Sequence, residues 1–278
     1  MRRIRYASLL ISAVLLAGFF TAGPVRAGAL SGVGGSKWTL GGVPCRLIAV
    51  QTQAPPIGVL ESCDGVRPGA VVQSDAGQCT FNFLFTGSDG RRYIGTAGHC
   101  ILGADGEQSW APGSGPEARD ANDQRIGEFA YAVLQDPKDF SLIRLDASVP
   151  ASPQMCHFGG PTGINQDTPA TPVVLNHFGQ GLGLGATVPA RTAVATAMPD
   201  PDHVYADGAI IFGDSGSGII SADGRAVGVI VTVGLHAASI GTSGVDAGVM
   251  GITRLAPQVA RAEQVLGIGL TLQTAALL

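Results

Sequence analysis

Cys79-Thr80-Phe81-Asn82-Phe83-Leu84-Phe85, then Gly87-Ser88-Asp89-Gly90, then Arg92-Tyr93-Ile94-Gly95-Thr96-Ala97: this stretch decides how the chain folds. Two runs rich in aromatic and β-branched residues on either side of a glycine-bounded turn signal a β-hairpin. Further strands are expected at Gln124 to Leu134, Ser141 to Leu145, Pro172 to Phe178, Ala186 to Ala197, His203 to Ile210, Gly218 to Ser221 and Ala226 to Val233. The last two flank another turn, Ala222-Asp223-Gly224-Arg225. Many short strands with few helices between them point to an all-β chain of antiparallel barrels or a sandwich. Only the end reads as a helix: across Arg254 to Leu266, residues Leu255, Val259, Ala262 and Leu266 share one face, and Thr253 is the expected cap.

The first 27 residues have a different character. Arg2, Arg3 and Arg5 precede an apolar stretch from Ala7 to Phe20, and Val25-Arg26-Ala27 places small residues where a signal peptidase cuts. This is the pattern of a secretory signal peptide, and the apolar stretch is shorter than the ~20 residues of a membrane-spanning helix. Residues 28–70, with Gly and Pro clusters and no sustained alternation, read as an N-terminal extension, and residues 71–278 as the main domain. Cleavage after Ala27 leaves Gly28 to Leu278, enough for one large β domain or two small ones.

Without the leader's four Arg the chain keeps thirteen basic residues against twenty-one acidic ones, a net charge of −8. Such a surface repels phosphate backbones and anionic lipid, which argues against nucleic-acid binding and stable membrane association. Its five cysteines are Cys45, Cys63, Cys79, Cys100 and Cys156. In an oxidising compartment they favour disulfides, and no paired CxxC spacing suggests zinc. An odd count leaves one thiol over. Cys45 with Cys63 would close the extension on itself.

A search for a nucleophile with a base and an orienting acid finds three segments: Gly95-Thr96-Ala97-Gly98-His99-Cys100, Lys138-Asp139-Phe140-Ser141-Leu142-Ile143-Arg144-Leu145 and Gly213-Asp214-Ser215-Gly216-Ser217-Gly218. Here the sequence resembles the chymotrypsin-like (trypsin-fold) serine proteases, especially their secreted bacterial branch. In that family the histidine lies in a T-A-G/A-H-C turn, the aspartate just ahead of an apolar strand and the serine in G-D-S-G, in this order. The resemblance covers about Val71 to Leu266. It implies two six-stranded antiparallel β-barrels with a C-terminal helix, and a secreted, monomeric endopeptidase acting on protein or peptide substrates without a cofactor or metal.

The resemblance also assigns roles. His99 would take the Ser215 proton as the hydroxyl attacks the scissile carbonyl, and Asp139 would fix the imidazole tautomer and stabilise the imidazolium. Asp136, before Pro137, and Asp146, after the apolar strand, are rival carboxylates. Amides of Gly213 and Ser215 would form the oxyanion hole, each donor being worth about 3 kcal/mol. Asp214 resembles the family's structural aspartate and needs a buried cation; with no activation sequence of the animal kind, the candidates are other cations such as an arginine. Thr232-Val233-Gly234 stands where the family has its substrate-backbone strand, and Ala209 where it sets the base of the specificity pocket. An uncharged Ala209 implies an apolar pocket, although a local shift would bring Asp207 in. A bridge from Cys79 to Cys100 resembles the family's link beside the histidine, leaving Cys156 as the odd thiol. His157, His177 and His203 read as ordinary surface or strand residues, and His236 as a loop residue within reach of the pocket.

Two departures stand out. The family's G-D-S-G-G-P is G-D-S-G-S-G here, and its S-W-G strand is replaced. A catalytically inactive binding protein on the same fold is the alternative, but it would have no physical need for all three triad groups. An α/β-hydrolase esterase conflicts with the chain order, which there runs Ser, acid, His.

Overall fold

The computed structural model describes residues 38–40, 43–45, 62–167, 172–181, 188–210, 212–234 and 248–278; at 38–40, 43–45, 197–199, 233, 234, 248 and 249 it describes the backbone alone. The expected signal peptide, Ile211 and His236 lie outside the described residues. Among residues 1–47, β1 (Trp38–Leu40) and β2 (Val43–Cys45) pair as a short antiparallel ribbon.

The main unit is built from two β layers, each curled on its own core. In the first, β3 (Val71–Ser74), β4 (Gly77–Thr80), β5 (Leu84–Gly87), β6 (Arg92–Thr96), β7 (Gly106–Ser109), β8 (Glu117–Arg119), β9 (Arg125–Gln135) and β10 (Lys138–Leu145) are followed, far along the chain, by a strand at Leu270–Leu272. The order is Leu270–Leu272, β5, β6, β10, β9, β8, β3, β4, with β7 beside β9. This sheet is a curled half-barrel. In the second layer, β11 (Gly163–Ile164), β12 (Val173–Phe178), β13 (Ala190–Asp200), β14 (His203–Gly208), β15 (Gly218–Ser221), β16 (Arg225–Gly234) and β17 (Gly248–Arg254) follow one another. Six of them close a ring, β12-β13-β14-β17-β16-β15, because β16 pairs with both β15 and β17. The Leu270–Leu272 strand, β18, reaches back to β5 after the terminal helix, Leu255–Leu266.

The reasons are visible in the residues. Fully buried Phe81, Phe83, Leu84 and Phe85 do not alternate because that run is covered on both sides; the Phe83 ring lies against Gly218 of the second barrel. The expected single strand Cys79 to Phe85 is therefore interrupted: β4 stops at Thr80 and β5 starts at Leu84. Between them the backbone bonds individually, Phe81 N to Ala70 O and Asn82 N to Gly95 O. β17 was not expected, since Gly248 and Gly251 break its apolar pattern, yet it supplies the pairing that closes the ring. The helix starts at Leu255 and its cap is Arg254, not Thr253: Thr253 is still in β17, opposite His203, with its side chain buried. Gly267, in the left-handed conformation with φ 67°, ends it.

Two disulfides are present. Cys79 and Cys100 form one, 21 residues apart in sequence. Cys63 bonds Cys156, which corrects two expectations: Cys63 is not joined to Cys45, and Cys156 is not the odd thiol. The physical reason is the path of the chain before β3. Val66 bridges Ala151, and Cys156 N donates to Pro68 O, so the 63–68 segment runs beside 151–156 and the two Cα atoms come within 5.8 Å. Cys63, Val66 and Ala70 are buried in the same core as β9 and β10. Cys45 belongs to neither bridge.

Candidate active site

His99 sits in a 3₁₀ turn, Gly98–Cys100, immediately after β6, and Asp139 is the second residue of β10. Antiparallel pairing of β6 with β10 and of β10 with β9 brings the two together. His99 Nδ1 lies 2.7 Å from Asp139 Oδ2. The other oxygen, Oδ1, accepts the backbone amides of Gly98 at 2.5 Å and His99 at 3.0 Å. Only glycine fits at 98, because a Cβ there would collide with the Val133 carbonyl of β9. Ser141 Oγ donates to Ala97 O at 2.8 Å and ties the same turn to β10 from below. Asp139 is buried while the His99 side chain keeps 31% exposure, so the ring stays partly open to solvent. The rival carboxylates are elsewhere: Asp146 pairs with Arg125 at 3.1 Å, and Asp136 is exposed in the β9–β10 turn.

Ser215 lies on a turn between two positive-φ glycines, Gly213 at 98° and Gly216 at 89°. That turn is pinned to the first barrel by one residue. Thr80 donates its amide to Ser215 O at 2.8 Å and its hydroxyl to Gly213 O at 2.8 Å. Thr80 in turn is held by Thr96, whose hydroxyl donates to Thr80 O at 2.9 Å. Gly216 packs so tightly on this pair that a Cβ would strike Thr96 Oγ1 and the Thr80 carbonyl, and would come within 2.9 Å of Ala97 N. The Ser215 turn therefore abuts the end of β6, just ahead of the turn that carries His99. Cys79, next to Thr80, is bonded to Cys100, next to His99, so the disulfide makes a covalent brace across the same few residues. Among the described residues, the amides of Gly213 and Ser215 donate to no protein group.

Asp214 is wholly buried and faces Arg191 of β13. The guanidinium grips both carboxylate oxygens, Nη2 to Oδ1 at 2.8 Å, and also donates to Gly179 O at 3.1 Å and Ala209 O at 3.3 Å. The buried cation that Asp214 was expected to need is thus an arginine, 23 residues upstream. Neither Arg191 nor Thr80 carries a motif of its own, and the strand pairing that delivers them is invisible in the linear chain.

Ala209 is exposed, as is Asp207, while Ala206, Gly208 and Ile210 between and around them are buried. The two residues therefore share an outward face. Thr232 is exposed on β16; Val233 and Gly234 follow it, paired with Met250 and Val249 of β17. His203 is buried on β14, and His177 is wholly buried on β12. Burial, reinforced by the positive charge of Arg191 and only partly offset by Asp214 and the Ala209 backbone, depresses His177 to about 4. Cys79, His99 and Cys100 are clustered closely enough to suggest a metal site, but both sulfurs are consumed by their disulfide.

Solved structures similar to this chain include a glutamic-acid-specific serine protease that uses a histidine triad in substrate binding, at 17% identity over 75% of this chain and 100% of that one, with a TM-score of 0.51. Nocardiopsis protease matches at 16% identity over 74% and 98%, TM-score 0.50, and Cellulomonas bogoriensis chymotrypsin at 17% over 75% and 99%, TM-score 0.50. The fold is that of the chymotrypsin-like bacterial serine proteases. No family model and no curated protein matches the chain. His99 and Asp139 belong to the first sheet and Ser215 to the turn entering β15 of the second, and Gly216 of that turn lies against Thr96 and Ala97, just ahead of His99. No helix among the described residues is long and apolar enough to cross a membrane.

Proposed function

We propose that this chain is a secreted serine endopeptidase that hydrolyses peptide bonds through an acyl-enzyme. The observation that carries the reading is the His99–Asp139 pair at 2.7 Å, with the second carboxylate oxygen spent on two backbone amides. A carboxylate held this way is fixed in orientation and remains an acceptor for Nδ1–H. Nε2 is then left unprotonated to act as the base. Ser215 would attack the scissile carbonyl carbon as its proton passes to Nε2, and the carbonyl oxygen would become an oxyanion received by the unengaged amides of Gly213 and Ser215. His99 would hand that proton to the leaving amine. Water, deprotonated by the same imidazole, would then cleave the ester and restore the serine.

Substrate would lie along Thr232, Val233 and Gly234 and insert a side chain toward Ala209; an uncharged pocket base favours an apolar or aromatic side chain, since a desolvated cation without a partner is costly. Two disulfides support an oxidising, extracellular site of action. The test is an active-site-directed phosphonylating probe on the purified secreted form. One equivalent bound at Ser215, lost in His99→Ala, is the expected result. Absence of labelling in a folded wild-type protein would leave a binding protein on a protease fold.

A further inference from the structure

His177 is a buried, titratable side chain that the proposed reaction does not use. It stands directly opposite Arg191 in the β12–β13 ladder and opposite Ile219 in the β12–β15 ladder, so one neighbouring strand offers it a cation and the other an apolar side chain. It is 0% exposed, and among the described residues neither buried ring nitrogen has a hydrogen-bond partner of ordinary geometry, the Ala209 backbone being the polar group beside it. The charged groups whose fields reach it are Arg191 and Asp214, with the Ala209 backbone beside it. Those three are the anchor of the nucleophile turn: Arg191 grips Asp214, one residue before Ser215, and the Ala209 carbonyl at the start of the same loop.

From this geometry we infer that His177 is a positioning residue of the loop 209–217, holding it docked only while the imidazole is uncharged. The inference goes beyond the proposed peptidase activity and does not depend on it. Neutral, the ring is an isosteric filler that leaves Arg191 free to make its two bonds to Asp214. Protonated, it sets a second cation against Arg191 inside the protein and becomes a competitor for the same carboxylate. Like charges this close in a low-dielectric interior cannot both be held. The structure then relaxes at the element that the Arg191–Asp214 pair holds, the turn carrying Asp214 and Ser215.

The sign of the pH effect follows from the direction of the shift. In the docked state His177 is depressed to about 4 from an ordinary value of 6.5. A group whose folded value is lowered holds its full contribution above the unfolded value and loses it as pH falls toward the folded one. Docking of the loop is therefore at its strongest above about pH 6.5 and weakens progressively between 6.5 and 4. The His99 base is distinct from this event, because it lies in the other barrel on the turn after β6.

The experiment uses the full secreted chain carrying Ser215→Ala, so that neither self-digestion nor catalysis enters the readout. Amide hydrogen exchange of peptides covering 209–217 is compared with peptides from β9 at pH 7, 6, 5 and 4, each corrected for the intrinsic exchange rate. Protection of 209–217 is expected to fall at least tenfold between pH 7 and 4 while β9 holds, and to change less than twofold in His177→Phe or, should that variant not fold, His177→Gln. In parallel, the His177 ring is titrated by NMR in the histidine background of the wild type. An unchanged 209–217 segment at pH 4, an equal loss in the His177 variants, or a His177 titration midpoint near 6.5 would each overturn the inference.

Discussion

Arg191 and Asp214 meet head-on in the interior, two guanidinium nitrogens against two carboxylate oxygens, one on a strand of the second barrel and the other next to the candidate nucleophile. Neither is more than 7% exposed at its side chain. Removing the cation alone strands a buried anion, so Arg191→Met is expected to cost about 3–5 kcal/mol. In a domain of this size that lowers the melting midpoint by roughly 10 °C or more. Arg191→Lys should recover only part of it, since an ammonium cannot make the two-pronged contact. Calorimetry on the three proteins checks both statements; a neutral Arg191→Met would show that Asp214 is held by something else.

Asp139→Asn is expected to leave the fold intact and to reduce turnover by about 10⁴, because an amide in that place would present the wrong partner to Nδ1 and favour the wrong tautomer. Steady-state kinetics on a cleavable peptide measures the loss. A matched change at Asp146, which pairs with Arg125 on the surface, should leave turnover within about twofold.

Cys63 and Cys156 close a loop with a sequence separation of 93, and such a closure is worth about 4 kcal/mol by limiting the unfolded chain. A Cys63→Ser/Cys156→Ser double variant should unfold at correspondingly lower denaturant, whereas Cys45→Ser should keep the wild-type midpoint. Equal destabilisation by Cys45→Ser would contradict the pairing.

Glu107 is held below the usual carboxylate range, first by the hydrogen bonds from Arg261 of the terminal helix and further by Tyr131 of β9, against an opposing desolvation. A lowered carboxylate contributes stability that is present above its unfolded value of 4.5 and lost as pH falls below it. The gap in stability between wild type and Glu107→Gln should therefore be constant from pH 7 to 5 and shrink between pH 4.5 and 3. Urea denaturation at several pH values reads this directly, and a gap that widened in acid would refute it.

Peptide chromogens ending in Phe, Leu, Ala, Glu and Arg should be cleaved fastest with Phe or Leu, the gain over Ala reflecting roughly 1.5–3 kcal/mol of apolar burial. Preference for Arg would mean that Asp207, on the same outward face as Ala209, supplies the pocket base.

The residues to which we assign the chemistry are legible in the linear chain because each lies in a short local motif: His99 in a turn that needs a glycine before it, Ser215 between two glycines, Asp139 at the start of an apolar run. Hairpins at Gly87 to Gly90 and at Ala222 to Arg225 were equally local, written in turn chemistry. Strand β17 was not legible, since its two glycines erase the alternation and its existence depends on β14 and β16 offering pairing edges on both sides. Cystine partners follow the same division. Cys79 and Cys100 flank one hairpin, so their pairing is near in sequence, while Cys63 and Cys156 have all of β3 to β10 between them. Arg191 was chosen for Asp214, and Thr80 for the Ser215 turn, by a single circumstance: the fold brings residues separated by 23 and 133 positions face to face. Sequence determines which groups can react or turn, because those properties belong to one residue and its neighbours. Only the tertiary structure decides which buried charge neutralises which, because the partner is selected by burial and strand register, and register is a property of two strands together.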